Sequence, residues 1–267
     1  MGTLKAMIRA VGFDLDDTLC VYLPVAVRAR RQAFAELVQP LSGLDIETID
    51  AAYQRVFWQM MEEIKQEPWR SRYLRSGEPT RTETMRRMLT SLGLSPNGLA
   101  ERLSARYLEL RESQLQLFED TLPTLNALRE RYRLFLITNG PALEQRRELH
   151  RLGLEPYFEP VAIEGELGVG KPDPAIFQFV QERLNLAPQQ ILFVGNSWAH
   201  DVRGALQVGW AAAWLNRDGA PPPEPDLAVP ILRSLQELLV ESPLTPSLSP
   251  LRKGGEGAGS GGIRYTL

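Results

Sequence analysis

Cysteine and histidine are scarce in this chain of 267 residues, and their scarcity excludes several kinds of site. The single cysteine, Cys20, excludes an internal disulfide and a zinc site built from several cysteines. Its side chain is predicted to be a small, buried apolar group. The two histidines, His150 and His200, are interpreted as residues that hold no metal, with His150 on a helix surface.

Long apolar runs and a strong charge of one sign are also missing. No uncharged apolar run approaches the roughly 18 residues that a membrane-spanning helix needs, and the first residues lack the apolar core of a signal peptide. The formal net charge of −3 gives no electrostatic reason to expect nucleic acid or an anionic membrane as a partner. A cytoplasmic location is therefore the default expectation.

Lysine is rare beside arginine, because only four of the 30 basic residues are lysines. Arginine is used wherever a general positive charge suffices, so a retained lysine is a candidate for a specific role. Lys171, in the segment GVGKPDP, is the one in a suggestive context. The other three are interpreted as chance survivors. Groups of arginines such as Arg28, Arg30 and Arg31 are interpreted as solvated faces, with contact between some of them and an anionic substrate as the alternative.

The pattern of apolar residues predicts helices without strands between about residues 24 and 117. Apolar side chains from Ile46 to Ile64 recur at spacings of three and four, which is typical of a helix that packs in a bundle. A short strand is predicted before this region, at 7–14. The predicted helices cover 24–39, 45–66, about 79–92 and 96–117, the last beginning at Ser95-Pro96.

After about residue 118 strands and helices alternate, which predicts an α/β fold with a doubly wound parallel sheet. The predicted strands are 133–138, an apolar stretch at 159–163, 191–195 and 211–215; the predicted helices are 121–131, 141–152, 174–185, 198–208 and about 230–240. We therefore expect a core of residues 1–20 and 118–241 with an inserted all-helical cap at 21–117. Residues 242–267 are rich in Ser, Pro and Gly and are predicted to be a disordered tail.

Polar residues follow several predicted strands, where an open parallel sheet gathers its ligands. In FDLDDTL, Asp14 and Asp16 share one face of extended chain while Asp17 points away. Two carboxylates at one place need a cation or a shared proton, and Mg²⁺ is a suitable cation for oxygen ligands. Thr138, the amides of Asn139 and Gly140, and Lys171 supply groups for an anion. Together these groups indicate phosphoryl transfer through an aspartyl-phosphate.

The segments FDLDDTL, LITNG, GVGKPDPAIF and VGNSWAHDVRGA resemble the four ordered motifs of the haloacid dehalogenase superfamily of hydrolases. The helical region between the first two motifs resembles the helical cap class of that family. The resemblance covers roughly residues 7–240 and implies a Rossmann-like core with a helical cap. Each motif alone is weak, but the four in order are specific.

The resemblance implies a role for each matching residue. Asp14 is expected to attack phosphorus, and Asp16 to act as general acid and then as base. Thr138 and Lys171 are expected to hold the phosphoryl group. Mg²⁺ is expected to be held by the Asp14 carboxylate, the Asp16 carbonyl and Asn196, with Asp201 supporting its waters or Lys171. Thr18 is expected to brace the loop, and Asp17 to make a structural hydrogen bond.

The predicted activity is Mg²⁺-dependent hydrolysis of a small phosphorylated metabolite, by a monomer or a homodimer. The resemblance argues against the dehalogenase branch, which lacks an acid at the position of Asp16. A phosphomutase with the same motifs remains an alternative. A weakened phosphate-binding or regulatory protein is a second alternative, supported only by Asn196, where the family usually has Asp. Sugar phosphates, nucleoside monophosphates and phosphoglycolate all remain candidate substrates.

Overall fold

A computed structural model describes residues 8–239, and its centre is a sheet of six parallel strands in the order β3-β2-β1-β4-β5-β6. The strand bounds are β1 Ala10–Phe13, β2 Arg133–Thr138, β3 Val161–Ile163, β4 Ile191–Gly195, β5 Ala211–Leu215 and β6 Ile231–Leu232. This architecture confirms the predicted α/β fold. The predicted strands at 133–138, 191–195 and 211–215 are confirmed at both ends.

Strand β1 lies in the middle of the sheet, where the strand order reverses direction. All four of its residues are buried, and it pairs with β2 on one side and β4 on the other. The ring of Phe135 from β2 packs against the backbone of Gly12. A Cβ at residue 12 would lie 2.0 Å from that ring, so a larger residue there would clash with it. The residues after Phe13 therefore emerge at the topological switch point, where such sheets bind ligands.

Apolar side chains cover both faces of the sheet in two separate clusters. One cluster contains Phe13, Leu136 and Val194, and the other contains Phe135, Phe193 and Trp210. This two-sided packing is the doubly wound arrangement that the alternating pattern predicts. The helices around the sheet are α7 Thr121–Arg129, α8 Ala142–Arg151, α9 Glu164–Leu167, α10 Pro174–Leu184 and α11 Arg203–Gln207.

Residues 23–114 form helices only, with an apolar cluster of their own that includes Phe34, Ile49 and Met85. The predicted absence of strands here is confirmed. The bounds are α1 Leu23–Leu37, α2 Gln39–Ser42, α3 Ile46–Glu63, α4 Trp69–Arg75, α5 Glu78–Ser91 and α6 Leu99–Gln114. We call α1 to α6 the helical insert.

Two predictions for the helical insert need correction. The helix predicted over 96–117 begins only at Leu99, because Gly98 adopts a left-handed backbone with φ of 67°. Arg30 does not lie on a solvated face, because it is buried and donates to Asp50 at 2.8 Å. Such a pair costs less inside the bundle than either charge alone.

The helix predicted at about 230–240 is wrong. Ile231 and Leu232 instead pair with Trp214 and Leu215 as the sixth strand, and a 3₁₀ turn follows at Leu235–Leu239. The edge of β5 offers backbone hydrogen-bond partners to any extended segment. The local pattern of apolar residues does not reveal such partners, because they belong to a distant part of the chain.

The predicted tail at 242–267 lies outside the described residues. Among the described helices, none is long and apolar enough to cross a membrane.

Candidate active site

Asp14 lies just beyond β1, and both of its carboxylate oxygens are engaged. Oδ1 accepts a hydrogen bond from Lys171 Nζ at 2.6 Å, and Oδ2 accepts one from Thr18 Oγ1 at 2.9 Å. The backbone amide of Asp14 continues the sheet by donating to Val194 at 3.0 Å. The carboxylate is therefore fixed in direction, with only 7% of the residue exposed.

Asp17 makes a structural contact at the start of α1. Its carboxylate accepts hydrogen bonds from the amides of Tyr22 and Leu23, both at 3.0 Å. The backbone of Asp17 is left-handed, with φ of 58°, a conformation that aspartate tolerates better than most residues. The sequence interpretation of Asp17 as a turn residue agrees with this geometry.

Lys171 bridges two carboxylates. Its Nζ lies 2.6 Å from Asp14 Oδ1 and 2.7 Å from Asp201 Oδ1, with 2% of the lysine side chain exposed. Burial lowers the pKa of Lys171, but the two carboxylates outweigh burial and raise it. Lys171 therefore keeps its proton more readily than an exposed lysine does, and it lies beside the candidate nucleophile.

The carboxylate of Asp201 packs closely against Gly195 at the end of β4. Its Oδ2 accepts from the amide of Ser197 at 2.8 Å, and a Cβ at Gly195 would lie 2.3 Å from Oδ2. Burial raises the pKa of Asp201 to about 6. Of the two expectations for Asp201, its contacts favour support of Lys171.

Thr138, Asn139 and Gly140 follow β2, and each makes a different contact. The hydroxyl of Thr138 donates to Gln145 Oε1 at 2.6 Å. The side chain of Asn139 holds the backbone of Lys171, accepting from its amide at 2.7 Å and donating to its carbonyl at 2.8 Å. Asn139 thus positions the lysine, a contact that the sequence did not indicate.

The predicted anion site at the Asn139 and Gly140 amides needs correction in one respect. The amide of Gly140 donates to Glu164 Oε2 at 3.0 Å, so a carboxylate of the chain itself lies there. Helix α8 begins only at Ala142, two residues later. A carboxylate suits this position for the same reason that a phosphate does, because it accepts the backbone N–H.

Gln145 is a site residue that sequence reasoning missed. Its Nε2 donates to Asp16 Oδ2 and to Glu148 Oε2, both at 3.2 Å, while its Oε1 accepts from Thr138. It therefore links the candidate acid to the candidate phosphate ligand. A signal was available: α8 has few apolar residues, so its inward face had to bury polar ones.

Asp16 stands among several carboxylates. Burial raises its pKa well above the usual value, and the negative charges of Glu148 and Asp14 raise it further. Burial also raises the pKa of Glu148 to about 7, despite the opposing attraction of Arg111. A carboxyl group in these surroundings retains a proton more readily than an exposed aspartate.

Two of the three predicted magnesium ligands, Asp14 and Asn196, lie beside one hydroxyl group, that of Thr18. Thr18 Oγ1 is 2.9 Å from Asp14 Oδ2 and 3.4 Å from Asn196 Oδ1, and it accepts the amide of Asn196 at 3.1 Å. Among residues 8–239 no cluster of three or more His, Cys, Asp or Glu side chains could hold a metal. One carboxylate, one amide oxygen and a backbone carbonyl still suit Mg²⁺, which keeps several waters. The donors present therefore fit that ion.

Comparison with known proteins gives a consistent family. The haloacid dehalogenase-like hydrolases match residues 8–209. A glyceraldehyde 3-phosphate phosphatase of Methanopyrus kandleri is 31% identical over 213 residues, which are 79% of this chain and 85% of the relative.

Two solved structures share the fold. The HAD hydrolase YfnB of Bacillus subtilis, bound to magnesium, has a TM-score of 0.65 and 22% identity, covering 87% of this chain and 97% of its own. A 2-haloacid dehalogenase of Pseudomonas syringae has a TM-score of 0.63 and 29% identity over the same shares. The family match spans well over half of the chain, so the resemblance seen in the four motifs is confirmed. The chain belongs to the haloacid dehalogenase-like hydrolases.

Proposed function

We propose that this hydrolase is a Mg²⁺-dependent phosphatase that acts on a small phosphorylated metabolite through an aspartyl-phosphate. The observation that carries the proposal is the carboxylate of Asp14, held between Lys171 and Thr18 at the switch point of the sheet. The phosphatase of Methanopyrus kandleri supports the reaction class.

In the first half of the proposed reaction, one carboxylate oxygen of Asp14 forms a bond to phosphorus. The bond from phosphorus to the ester oxygen breaks, and Asp16 gives its proton to that oxygen. Lys171 and the hydroxyl of Thr138 hold the phosphoryl oxygens and stabilise the negative charge on these oxygens during the transfer. The raised pKa of Asp16 suits it to hold this proton beforehand.

In the second half, Asp16 takes a proton from a water molecule that attacks phosphorus. The bond between phosphorus and the Asp14 oxygen breaks, which releases inorganic phosphate and restores both aspartates. Gln145 donates to Asp16 at 3.2 Å and so keeps this carboxyl group aimed at the reacting atoms.

Asp14, Asn196 and the backbone carbonyl of Asp16 would hold Mg²⁺. When bound, the ion neutralises charge on the phosphoryl oxygens and on the nucleophile. Asp201 keeps Lys171 in place at 2.7 Å, so the lysine stays oriented as the substrate enters.

Residues of the site distinguish a phosphatase from a dehalogenase and from a binding protein, but not from a phosphomutase. Although a dehalogenase is a structural relative, Asp16 provides the acid that ester cleavage needs, and hydrolysis of a carbon–halogen bond needs no such acid. A phosphomutase shares every group described and differs only in whether water reaches the intermediate. A protein that only binds phosphate would not need the hydrogen bond by which Gln145 orients Asp16.

Release of phosphate from p-nitrophenyl phosphate, with Mg²⁺ and with EDTA, tests the proposal. We expect turnover only with Mg²⁺, and we expect Asp14→Asn to lose at least about 10³-fold in kcat, because an amide is a poor nucleophile. Turnover that persists in EDTA, or an Asp14→Asn protein with a tenth of normal activity, would falsify the proposed mechanism. A product phosphorylated at another position would instead indicate the mutase.

A further inference from the structure

Trp214 lies near the end of β5, beside the loop that carries Asn196. Its indole Nε1 donates to the backbone carbonyl of Asn196 at 2.8 Å. Residue 214 is also the register partner of Gly195, the last residue of β4, so the indole lies next to the point where β4 ends. This hydrogen bond joins the packed core around β5 to a residue that we expect to hold Mg²⁺.

The neighbours of Trp214 fix the direction of its ring. The residue is 6% exposed and belongs to the apolar cluster that contains Phe193. The ring of Trp198 packs edge-on against it, with centroids 5.2 Å apart and planes at 79°. Trp198 is held in turn by a hydrogen bond from its Nε1 to Glu224 Oε1 at 2.9 Å. A closely packed ring cannot turn without opening the cluster, so the indole N–H keeps its direction toward the Asn196 carbonyl.

The backbone of Asn196 is therefore held on both sides. Its amide donates to Thr18 Oγ1 at 3.1 Å, and its carbonyl accepts from Trp214. The Thr18 hydroxyl has one proton to donate, and its contact with Asp14 Oδ2, at 2.9 Å, is shorter than its contact with Asn196 Oδ1, at 3.4 Å. The proton belongs to the shorter contact, which leaves the side-chain oxygen of Asn196 able to bind a cation.

Position matters more for this ligand than it would for a charged one. Mg²⁺ requires oxygen ligands at about 2.0–2.1 Å in nearly ideal octahedral geometry. An amide oxygen attracts the ion through a dipole, and that attraction depends on direction as well as on distance. A small turn of the Asn196 backbone would therefore weaken the contact.

We propose that Trp214 is a positioning residue for Mg²⁺. Its indole N–H fixes the carbonyl of Asn196 and thereby directs the side-chain oxygen of Asn196 at the ion. The inference rests on the proposed phosphatase function, and it names a residue that lies outside the four sequence motifs.

Trp210 provides a matched comparison. It is fully buried in the same apolar cluster, and its indole Nε1 also donates a hydrogen bond of 2.8 Å, to Gln181 Oε1 on α10. Phenylalanine at either position removes one indole N–H and part of a buried ring. Only at residue 214 is the lost hydrogen bond one to a residue of the candidate site.

Thermal melting with Mg²⁺ alone, without substrate, tests the proposal. A ligand that binds the folded protein raises the melting temperature by an amount set by its concentration and dissociation constant. Wild type, Trp214→Phe and Trp210→Phe are melted in EDTA and over a series of Mg²⁺ concentrations, with circular dichroism as the signal. We expect both variants to melt below the wild type in EDTA, because each loses buried contacts. We expect the dissociation constant for Mg²⁺ to rise at least about tenfold in Trp214→Phe and to stay unchanged in Trp210→Phe.

Hydrolysis of p-nitrophenyl phosphate provides a second readout. We expect the Mg²⁺ concentration for half-maximal rate to rise at least about tenfold in Trp214→Phe. The rate at saturating Mg²⁺ should change little, because the indole N–H contacts Asn196 rather than the nucleophile. A purely structural role would lower the melting temperature in EDTA and leave both measures of Mg²⁺ affinity unchanged.

If Trp214→Phe does not fold, the wild type is measured instead by nuclear magnetic resonance. The five tryptophans are labelled with ¹⁵N, and their indole N–H signals are assigned by substituting the other four one at a time. We expect Mg²⁺ to shift the signal of Trp214 and to leave that of Trp210 in place. A Trp214 signal that stays in place overturns the proposal.

The outcomes separate this inference from the proposed function. Wild-type affinity for Mg²⁺ in folded Trp214→Phe, or an equal loss of affinity in Trp210→Phe, overturns the role of Trp214 while phosphatase activity stands. A wild-type protein that neither gains stability from Mg²⁺ nor releases phosphate from p-nitrophenyl phosphate overturns the proposed function itself.

Discussion

At the scale of single residues, the centre of the candidate site is a lysine between two aspartates. Lys171 is almost fully buried, and its ammonium contacts Asp14 and Asp201 at 2.6 and 2.7 Å. A compact ammonium can point at two oxygens and at a phosphoryl group, whereas a planar guanidinium fork needs more space and a different direction.

We therefore expect Lys171→Arg to lower kcat/KM at least about 100-fold, because the longer fork displaces Asp14 or leaves the phosphoryl group without its partner. Lys65→Arg is the matched control, since Lys65 is exposed and pairs with Glu62. Steady-state kinetics of both variants, with melting curves to check folding, measure the effect. Normal kinetics in Lys171→Arg would show that the position needs only a positive charge.

We expect the residue at position 196 to affect the affinity of the site for Mg²⁺. Asn196 supplies an oxygen without a formal charge, and Coulomb energy falls with distance, so a charge in direct contact counts most. We expect Asn196→Asp to lower the Mg²⁺ concentration for half-maximal rate about tenfold, about 1.4 kcal/mol, with little change in the saturated rate. Asn126→Asp adds the same charge at an exposed helix position and serves as control.

A titration of Mg²⁺ against these proteins decides the matter. If Asn196→Asp needs as much metal as the wild type, residue 196 does not contact the ion, or repulsion between the carboxylate introduced there and Asp14 dominates.

At the scale of secondary structure elements, helix α9, which follows β3 directly, brings a carboxylate to the place where phosphate was expected. Glu164 begins α9 and accepts the amide of Gly140 at 3.0 Å. Gly170 makes this approach possible, because a Cβ there would lie 2.8 Å from the Glu164 carboxyl carbon. The Glu164 carboxylate and an incoming phosphate are both negatively charged, and both are acceptors for the backbone amide of Gly140.

We expect Glu164→Gln to bind inorganic phosphate more tightly, lowering its inhibition constant about tenfold, because the neutral amide removes the repulsion. Glu166→Gln, two residues away, is the matched control, since Glu166 pairs with Arg146 at 2.6 Å outside the site. Competitive inhibition of p-nitrophenyl phosphate hydrolysis measures both constants. An inhibition constant that stays at the wild-type value would mean that phosphate does not approach Gly140.

At the scale of the whole molecule, the helical insert and helix α8 meet through a buried ion pair. Arg111 of α6 and Glu148 of α8 form an ion pair at 2.8 Å with almost no exposure. Burial raises the pKa of Glu148 to about 7. A raised pKa means that the folded protein binds this proton more tightly than the unfolded chain does.

The sign of the pH dependence follows from that shift. The stabilising contribution is complete below the ordinary pKa of glutamate and is lost as the pH rises through about 7. We expect the melting temperature of the wild type, relative to Glu148→Gln, to fall by at least about 2 °C between pH 5 and pH 8, since about 1 kcal/mol corresponds to 2–4 °C in a chain of this size. Both proteins are melted in EDTA, with Glu182→Gln on the exposed side of α10 as control. A constant difference across this range would show that Glu148 titrates as an exposed glutamate does.

The sequence by itself determined the fold class, the parallel strands and the position of Asp14, Thr138 and Lys171 at the ends of strands or loops. These features follow from local patterns: apolar runs make buried strands, and polar residues that follow them must lie at the edge of the sheet. The role of Asp17 was also local, because its partners Tyr22 and Leu23 are five and six residues away.

Only the tertiary structure decided which side chains contact one another across the chain. Gln145 reaches Asp16 over 129 positions, and Arg111 reaches Glu148 over 37, so no local pattern in the sequence indicates either contact. The last strand, β6, formed where a helix was predicted, because the open edge of β5 supplied hydrogen bonds that outweigh local preference. Packing of the helical insert on α8 likewise created a cavity between them, since its walls come from segments that meet only when the chain is folded.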